Sequence, residues 1–137
     1  MYIYNFLFKI TFMRNKLKFI VNRLNKDKFK GGLRDFFEYL DLGIENATDG
    51  DYGANIIRSV PGKNTLGQWH YHELNFQMVY ILEGWVKFEY QNEGVFILNK
   101  GDSVLQPPKI LHREIEHSED LMLIEVTSPA KFKSVNI

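Results

Sequence analysis

The chain has 137 residues, the size of one domain, and its 45% hydrophobic and 25% charged composition is ordinary for a globular protein. It contains no cysteine, so disulfide frameworks, cysteine-based zinc sites and thiol nucleophiles are excluded. The absence of cysteine fits a reducing compartment, and we predict a cytoplasmic location. No apolar run reaches the roughly 18 residues that a membrane span needs, because Lys9 interrupts the first apolar stretch.

The formal net charge of zero averages two segments of opposite charge. Residues 1–34 contain nine Lys or Arg residues and one acidic residue, Asp27, whereas the rest of the chain contains eight basic and sixteen acidic residues. The acidic remainder argues against a nucleic-acid-binding groove on the main domain.

Residues 1–30 are interpreted as a basic N-terminal extension, and the Gly31–Gly32 pair marks the predicted start of a domain over residues 31–137. Residues 15–29 have the spacing of a weakly amphipathic basic helix. The favoured interpretation is a dispensable or poorly ordered tail. Three others stay open: a targeting peptide, an arm that binds a membrane surface or a partner, and a non-native extension upstream of a start at Met13 or later.

The pattern after residue 40 is that of an all-β domain without a convincing helix. Apolar patches around residues 36–44 are followed by turn-forming residues over 47–53. In residues 85–90 apolar and charged side chains alternate, which is typical of a half-buried strand. The short strands and closely spaced turns predict a sandwich or closed barrel, with strands over 54–60, 68–72, 77–82, 85–90, 95–98, 103–106, 110–115 and 121–126.

Two histidines with one residue between them begin the site that carries chemistry. Residues i and i+2 of a strand face the same way, so His70 and His72 can converge on one point. Paired neutral imidazoles are an ordinary start of a transition-metal site. The alternative is a pair of pocket histidines whose ring nitrogens are satisfied by hydrogen bonds.

The spacing around these histidines and further along the chain resembles that of the cupins, and of their small single-domain members in particular. Their first motif has Gly, five residues, His-x-His, three or four residues, Glu, six residues and Gly. Their second has Gly, five residues, Pro-x-Gly, two residues, His, three residues and Asn. This chain has His70-x-His72, four residues, Gln77, six residues and Gly84, and then Gly101, five residues, Pro107-x-Lys109, two residues, His112, three residues and Glu116.

This sequence departs from the cupin pattern at several positions. Gln77 replaces a glutamate ligand, Lys109 replaces a glycine and Glu116 replaces an asparagine. The glycine that opens the first motif is also out of register. The Gln77 difference bears on the metal site, since it removes one negative charge from the ligand set.

The resemblance implies a jelly-roll barrel, also called a double-stranded β-helix, with a metal in its mouth. His70, His72 and His112 would be ligands of a divalent Fe, Zn, Ni, Mn or Cu ion. Gln77 would offer a neutral amide oxygen or lie beside the metal without touching it. With neutral ligands only, the affinity for the ion should fall and its Lewis acidity should rise.

Carboxylates near His112 are candidates for proton transfer. Glu114 and Glu116 share the face of His112 if the strand is regular, and we predict Glu114 as a catalytic acid or base. A β-bulge that turns one of them outward is the alternative. His117 lies in a polar stretch and is expected to be exposed. Four aromatic residues are assigned either to a pocket or to plain core: Trp69, Tyr71, Phe76 and Tyr80.

The resemblance implies a metal-dependent enzyme, such as a dioxygenase or isomerase, that acts on a small organic molecule. The alternative is a non-catalytic module that binds or senses a small ligand. We also predict a homodimer, because Ile56–Ile57 or the strand at residues 95–98 offers an apolar sheet face.

Overall fold

Over the part of the chain that the structure describes, the fold is built from eleven β-strands in two antiparallel sheets. The computed structural model describes residues 17–137. A 3₁₀ turn covers Lys26–Lys28 and one helical turn, α1, covers Ile44–Ala47. The strands are β1 (Lys30–Gly31), β2 (Phe37–Asp41), β3 (Gly53–Ser59), β4 (His70–Glu73), β5 (Phe76–Glu83), β6 (Trp85–Tyr90), β7 (Gly94–Asn99), β8 (Ser103–Leu105), β9 (His112–His117), β10 (Met122–Ser128) and β11 (Lys133–Asn136).

The strand order is that of a jelly roll. One sheet has the order β1-β2-β3-β10-β5-β8 and the other β11-β4-β9-β6-β7. Each of the eight predicted strands overlaps an observed one, which confirms the predicted all-β barrel. The structure adds β1, β2, β11 and the single turn of α1, none of which the sequence pattern assigned.

The hydrophobic core lies between the two sheets. In β6 the side chains of Val86 and Tyr90 point inward and are 0% and 5% exposed, as the alternation predicts. In β5 the inward side chains are Gln77, Val79 and Ile81. The core therefore continues, strand by strand, into the polar side chains that form the site. Its buried members are Ile57, Val79, Ile81, Val86, Leu121 and Leu123.

The amphipathic helix predicted over residues 15–29 is not formed in residues 17–25, which have no regular secondary structure. The Lys18 amide donates to the Ala47 carbonyl, and the Asn22 side chain donates to the Leu42 carbonyl. An isolated short helix needs an apolar face to bury, yet Phe19 is 94% exposed. Long-range hydrogen bonds therefore replace helical ones here.

The segment that follows joins the larger sheet, since Lys30 of β1 pairs with Tyr39 of β2. The division of the chain at residue 30 stays a prediction. The part of the predicted extension that covers residues 1–16 lies outside the described residues.

Within residues 17–137, the helical segments are too short and too polar to cross a membrane.

Candidate metal centre

Strands β4 and β9 bring the three predicted histidines together. His70 and His112 are paired directly across the two strands, and their ring centroids are 4.3 Å apart. His72 lies two residues further along β4 on the same face, as expected for a strand. One potential ligand nitrogen from each of the three side chains lies within 4.8 Å of the others. This geometry could hold a single metal ion.

Backbone carbonyls determine the tautomers of two of these rings. Nδ1 of His70 lies 2.8 Å from the Gln68 carbonyl oxygen, and Nδ1 of His112 lies 2.9 Å from that of Ile110. A carbonyl oxygen only accepts, so each Nδ1 carries the proton and donates it. Each Nε2 therefore has a free lone pair, the state in which imidazole ligates a metal.

The surroundings keep all three histidines neutral. Burial lowers the pKa of His72 to about 3 and that of His112 to about 4, and it also lowers the pKa of His70. For His72, repulsion by the nearby His112 adds to the effect of burial. Nδ1 of His72 is buried and has no hydrogen-bond partner. A buried set of neutral imidazoles suits a divalent transition metal.

Gln77 lies beside this cluster on β5, with its side chain in contact with a second polar residue. Its Nε2 donates to Oε2 of Glu125 on β10, at 3.0 Å. Because the amide nitrogen is engaged, Oε1 is the atom that remains to accept or to ligate. Coordination of a metal by Gln77 stays a prediction.

A cavity of about 500 Å³ opens onto the cluster between the two sheets. All five residues that the sequence predicted for the site line it: His70, His72, Gln77, His112 and Glu114. Its aromatic wall is made of Phe36, Phe37, Tyr39, Phe88 and Phe132.

The four aromatic residues assigned from the sequence to a pocket or core are neither in the described cavity wall nor in the buried core. Phe76 and Tyr80 are 39% and 40% exposed. They fall on the outward face of β5, opposite the inward Gln77 and Val79. Trp69 lies beside Arg113, whose guanidinium is 5.0 Å from its ring.

A β-bulge in β9 separates the two glutamates. Lys87 pairs with Glu116 and Phe88 pairs with Glu114, so Ile115 is an extra residue. The bulge leaves Glu114 facing the cavity and turns Glu116 to solvent. The structure therefore agrees with the alternative considered from the sequence, in which a β-bulge turns one of the two glutamates outward.

The expectation that His117 is exposed was wrong, and the same bulge is the reason. It brings the His117 side chain back to the inner side, where only 4% of it is exposed. Nδ1 donates to Oε1 of Glu114 at 2.9 Å, and the ring packs against Phe36 and Phe37. The polar neighbours of His117 in the sequence give no sign of this, because the register shift depends on the partner strand.

Two buried carboxyl groups therefore face the cavity. Burial raises the pKa of Glu114, although the hydrogen bond from His117 opposes the shift. Burial also raises the pKa of Glu125, and the hydrogen bond from Gln77 opposes it. Glu125 was not among the site residues predicted from the sequence. A signal existed, because Glu125 alternates with Leu123 and Thr127 in an apolar strand.

Comparisons with known proteins agree with this architecture. The family model of the Cupin domain matches residues 56–127. No curated protein matches the chain in sequence. Three solved structures of similar fold are KdgF from Halomonas sp., the polyketide cyclase RemF from Streptomyces resistomycificus, and Streptomyces Pac13, described as a nucleoside dehydratase.

These structures share the fold at low sequence identity. KdgF is 21% identical, with a TM-score of 0.62, over 79% of this chain and 94% of its own. RemF is 16% identical, with a TM-score of 0.66, over 86% of each chain. Pac13 is 11% identical, with a TM-score of 0.60, over 86% of this chain and 92% of its own. The family match covers more than half of the 137 residues and agrees with the observed barrel, so the chain belongs to the cupin family.

Proposed function

We propose that this protein is a metal-dependent enzyme that acts on a small organic molecule. The observation that carries the proposal is the convergence of His70, His72 and His112, within 4.8 Å, on a cavity of about 500 Å³. Buried histidines at three converging positions are not needed for a packed core. The cavity volume lies in the range of small-molecule sites.

His70, His72 and His112 would hold the ion, and Gln77 would add its amide oxygen. A bound divalent ion supplies Lewis-acid polarisation of substrate oxygens or, if it is iron, activation of O₂. The imidazoles of His70 and His112 are held in place by their bonds to the Gln68 and Ile110 carbonyls. These bonds keep the lone pairs directed away from the backbone without any change of protonation.

Glu114 is our candidate for proton transfer to or from a substrate. It lines the cavity beside the histidines, and His117 holds its Oε1 at 2.9 Å. That contact restricts the rotation of the carboxyl group. Phe36 and Phe88 in the same wall would give a bound substrate an apolar surface to pack against. Two of the similar structures, RemF and Pac13, are described as a cyclase and a dehydratase, and Pac13 is also known with uridine.

Metal content tests the proposal directly. Protein produced without a histidine tag is analysed by elemental mass spectrometry, next to the His70→Ala/His112→Ala double variant and a His117→Gln control. We expect near-stoichiometric Fe, Zn, Ni, Mn or Cu in the wild type and in the control, and its loss in the double variant. His117 is the matched control because it is buried nearby without belonging to the cluster.

Protein that stays metal-free after incubation with each of these ions would contradict the proposal. It would favour the alternative function, a module that binds a small ligand without turnover. Circular dichroism of the double variant shows whether lost metal reflects lost ligands or lost folding.

We also propose a homodimer. Strand β7 is an edge of the smaller sheet, and its Val95, Phe96 and Ile97 are 49%, 45% and 55% exposed. Unpaired apolar edge strands favour association. Size-exclusion chromatography with light scattering should give twice the chain mass, and a 16.2 kDa particle would rule the dimer out. The cytoplasmic location stays a prediction.

A further inference from the structure

One cation from the N-terminal part of the domain enters the wall of the cavity. Arg34 lies in the connection between β1 and β2, where the Phe37 amide donates to its carbonyl oxygen at 3.2 Å. It is the single Lys or Arg among the described residues that line the cavity. It lines the same cavity as His70, His72 and His112.

The guanidinium of Arg34 lacks a partner at one end. Its Nη2 is buried and forms no hydrogen bond, and none of the ion pairs among residues 17–137 includes Arg34. A buried donor without a hydrogen-bond partner is destabilising, since it has lost water and gained nothing in return. An acceptor supplied by a ligand would remove that cost.

The acidic residues of the cavity wall are engaged elsewhere. Glu114 accepts from His117, and Glu125 accepts from Gln77. Asp35 is 77% exposed in its side chain and lies 3.8 Å from Lys63. The charge of Arg34 reaches Glu114, where it opposes the rise in pKa that burial causes, but Nη2 of Arg34 donates to no residue of the described chain and is left for an acceptor within the cavity.

We infer that the substrate carries a carboxylate group that binds Arg34, while the rest of the molecule extends toward the histidine cluster. This inference rests on the proposed function and names its substrate class. Planar guanidinium matches planar carboxylate in shape and charge. A divalent ion held by neutral imidazoles and an amide would add its full charge to that of Arg34, so the cavity would favour an anion over a neutral molecule of equal size.

Two pairs of probes separate charge from shape: benzoate with benzamide, and succinate with succinamide. Each is titrated calorimetrically into the full chain, both loaded with Zn(II) and free of metal. In wild-type protein we expect each acid to bind at least tenfold more tightly than its amide. Arg34→Gln should weaken acid binding at least tenfold and leave amide binding unchanged, and Arg34→Lys should fall between. Arg58→Gln is the matched control, because Arg58 pairs with Glu38 outside the cavity.

Equal binding of acid and amide by the wild type, no binding of either acid at millimolar concentration, or full acid affinity in Arg34→Gln would each overturn the inference. The wild-type comparison requires no variant, so it holds even if Arg34→Gln fails to fold. Elemental analysis of the same samples reports on the metal separately. An acid preference that depends on Arg34 in metal-free protein would support the substrate class even if the metal proposal failed.

Discussion

Lys109 shows how a departure from the family motif is accommodated by a single residue. It stands where the cupin motif has glycine, and its φ of 62° lies in the left-handed region. Its amide donates to the His72 carbonyl at 3.1 Å, which ties the loop before β9 to strand β4. The left-handed conformation is therefore retained although a lysine side chain disfavours it.

Lys109→Gly should stabilise the protein by about 0.5 to 1 kcal/mol, because glycine adopts this conformation without the steric cost. The gain is smaller than the full steric cost, since glycine also increases the conformational entropy of the unfolded chain. Urea denaturation measures the change in the free energy of unfolding. Asn92→Gly is the matched control, since Asn92 has a φ of 65° and asparagine tolerates that region better, so its gain should be smaller. A neutral or destabilising Lys109→Gly would show that the loop is not strained there.

The contact between Gln77 and Glu125 leads to a second prediction at this scale. Gln77→Glu would place two buried carboxyl groups about 3.0 Å apart and should destabilise the protein by about 2 kcal/mol at pH 7. The exchanged pair, Gln77→Glu/Glu125→Gln, restores an amide–carboxylate contact and should recover most of that loss.

Thermal and urea unfolding of both single variants and the double variant measure the coupling. If Gln77→Glu alone is as stable as the wild type, the two side chains do not share the contact. The exchanged pair should also bind divalent metal more tightly than the wild type, because it brings the negative charge nearer to the histidines.

At the scale of elements, the hairpin between β5 and β6 is locked against the connection from β9 to β10. The Ser118 Oγ accepts from the Trp85 amide at 2.9 Å, and the Ser118 amide donates to the Trp85 carbonyl at 3.0 Å. Gly84, between the two strands, has a φ of 70°. A Cβ at this position would overlap the Ser118 side chain and lie 3.0 Å from Cα of Leu121, so the turn requires glycine for space as well as conformation.

Gly84→Ala should therefore destabilise the protein by about 2 to 4 kcal/mol, combining left-handed strain with overpacking. Gly62→Ala isolates the first term, because Gly62 has a φ of 77° and open space around its Cβ position. The control should lose only about 1 kcal/mol. Equal losses in urea denaturation would mean that the close packing of the two turns contributes nothing.

At the scale of the whole molecule, each sheet contributes a tyrosine whose ionisation opposes folding. Burial and then the negative charge of Glu125 raise the pKa of Tyr39, on the larger sheet, to about 12. Burial raises the pKa of Tyr90, on the smaller sheet, to about 12, although the hydrogen bond from Gln106 opposes the shift. The folded state thus keeps these protons at a pH where the unfolded chain loses them.

Stability should be complete below the unfolded pKa of 10.0 and fall as the pH rises toward 12. Between pH 9 and pH 11, each of the two tyrosines should account for a loss of about 1 kcal/mol. Urea denaturation at both values should show a smaller loss in Tyr39→Phe and in Tyr90→Phe than in wild type. Tyr52→Phe, at a residue 49% exposed, is the control. If Tyr39→Phe and Tyr90→Phe both lose as much stability as the wild type between these pH values, ionisation of these two tyrosines is not the cause of the loss.

Part of the site could be predicted because it depends on local pattern. His70 and His72 share a face whenever a strand forms, since strand side chains alternate. Their convergence with His112 was implied by the spacing of the two cupin motifs, and the cross-strand pairing of His70 with His112 agrees with it. The helix predicted for the basic segment was wrong over residues 17–25, because amphipathic spacing does not ensure a surface on which to bury the apolar side.

The sequence by itself determined the all-β barrel and the positions of most strands, which follow from alternation and turn-forming residues. It also determined the histidine cluster, through the shared face of His70 and His72 and the resemblance to the cupin motifs that adds His112. Only the tertiary structure decided that Arg34 and Glu125 line the cavity, that Glu116 faces solvent and that His117 is buried against Glu114. The physical reason is that these placements depend on pairing between strands far apart in the chain and on one extra residue in β9. Local sequence patterns carry information on which face a side chain occupies within its own strand, whereas the register with the partner strand is set by the packing of the whole barrel.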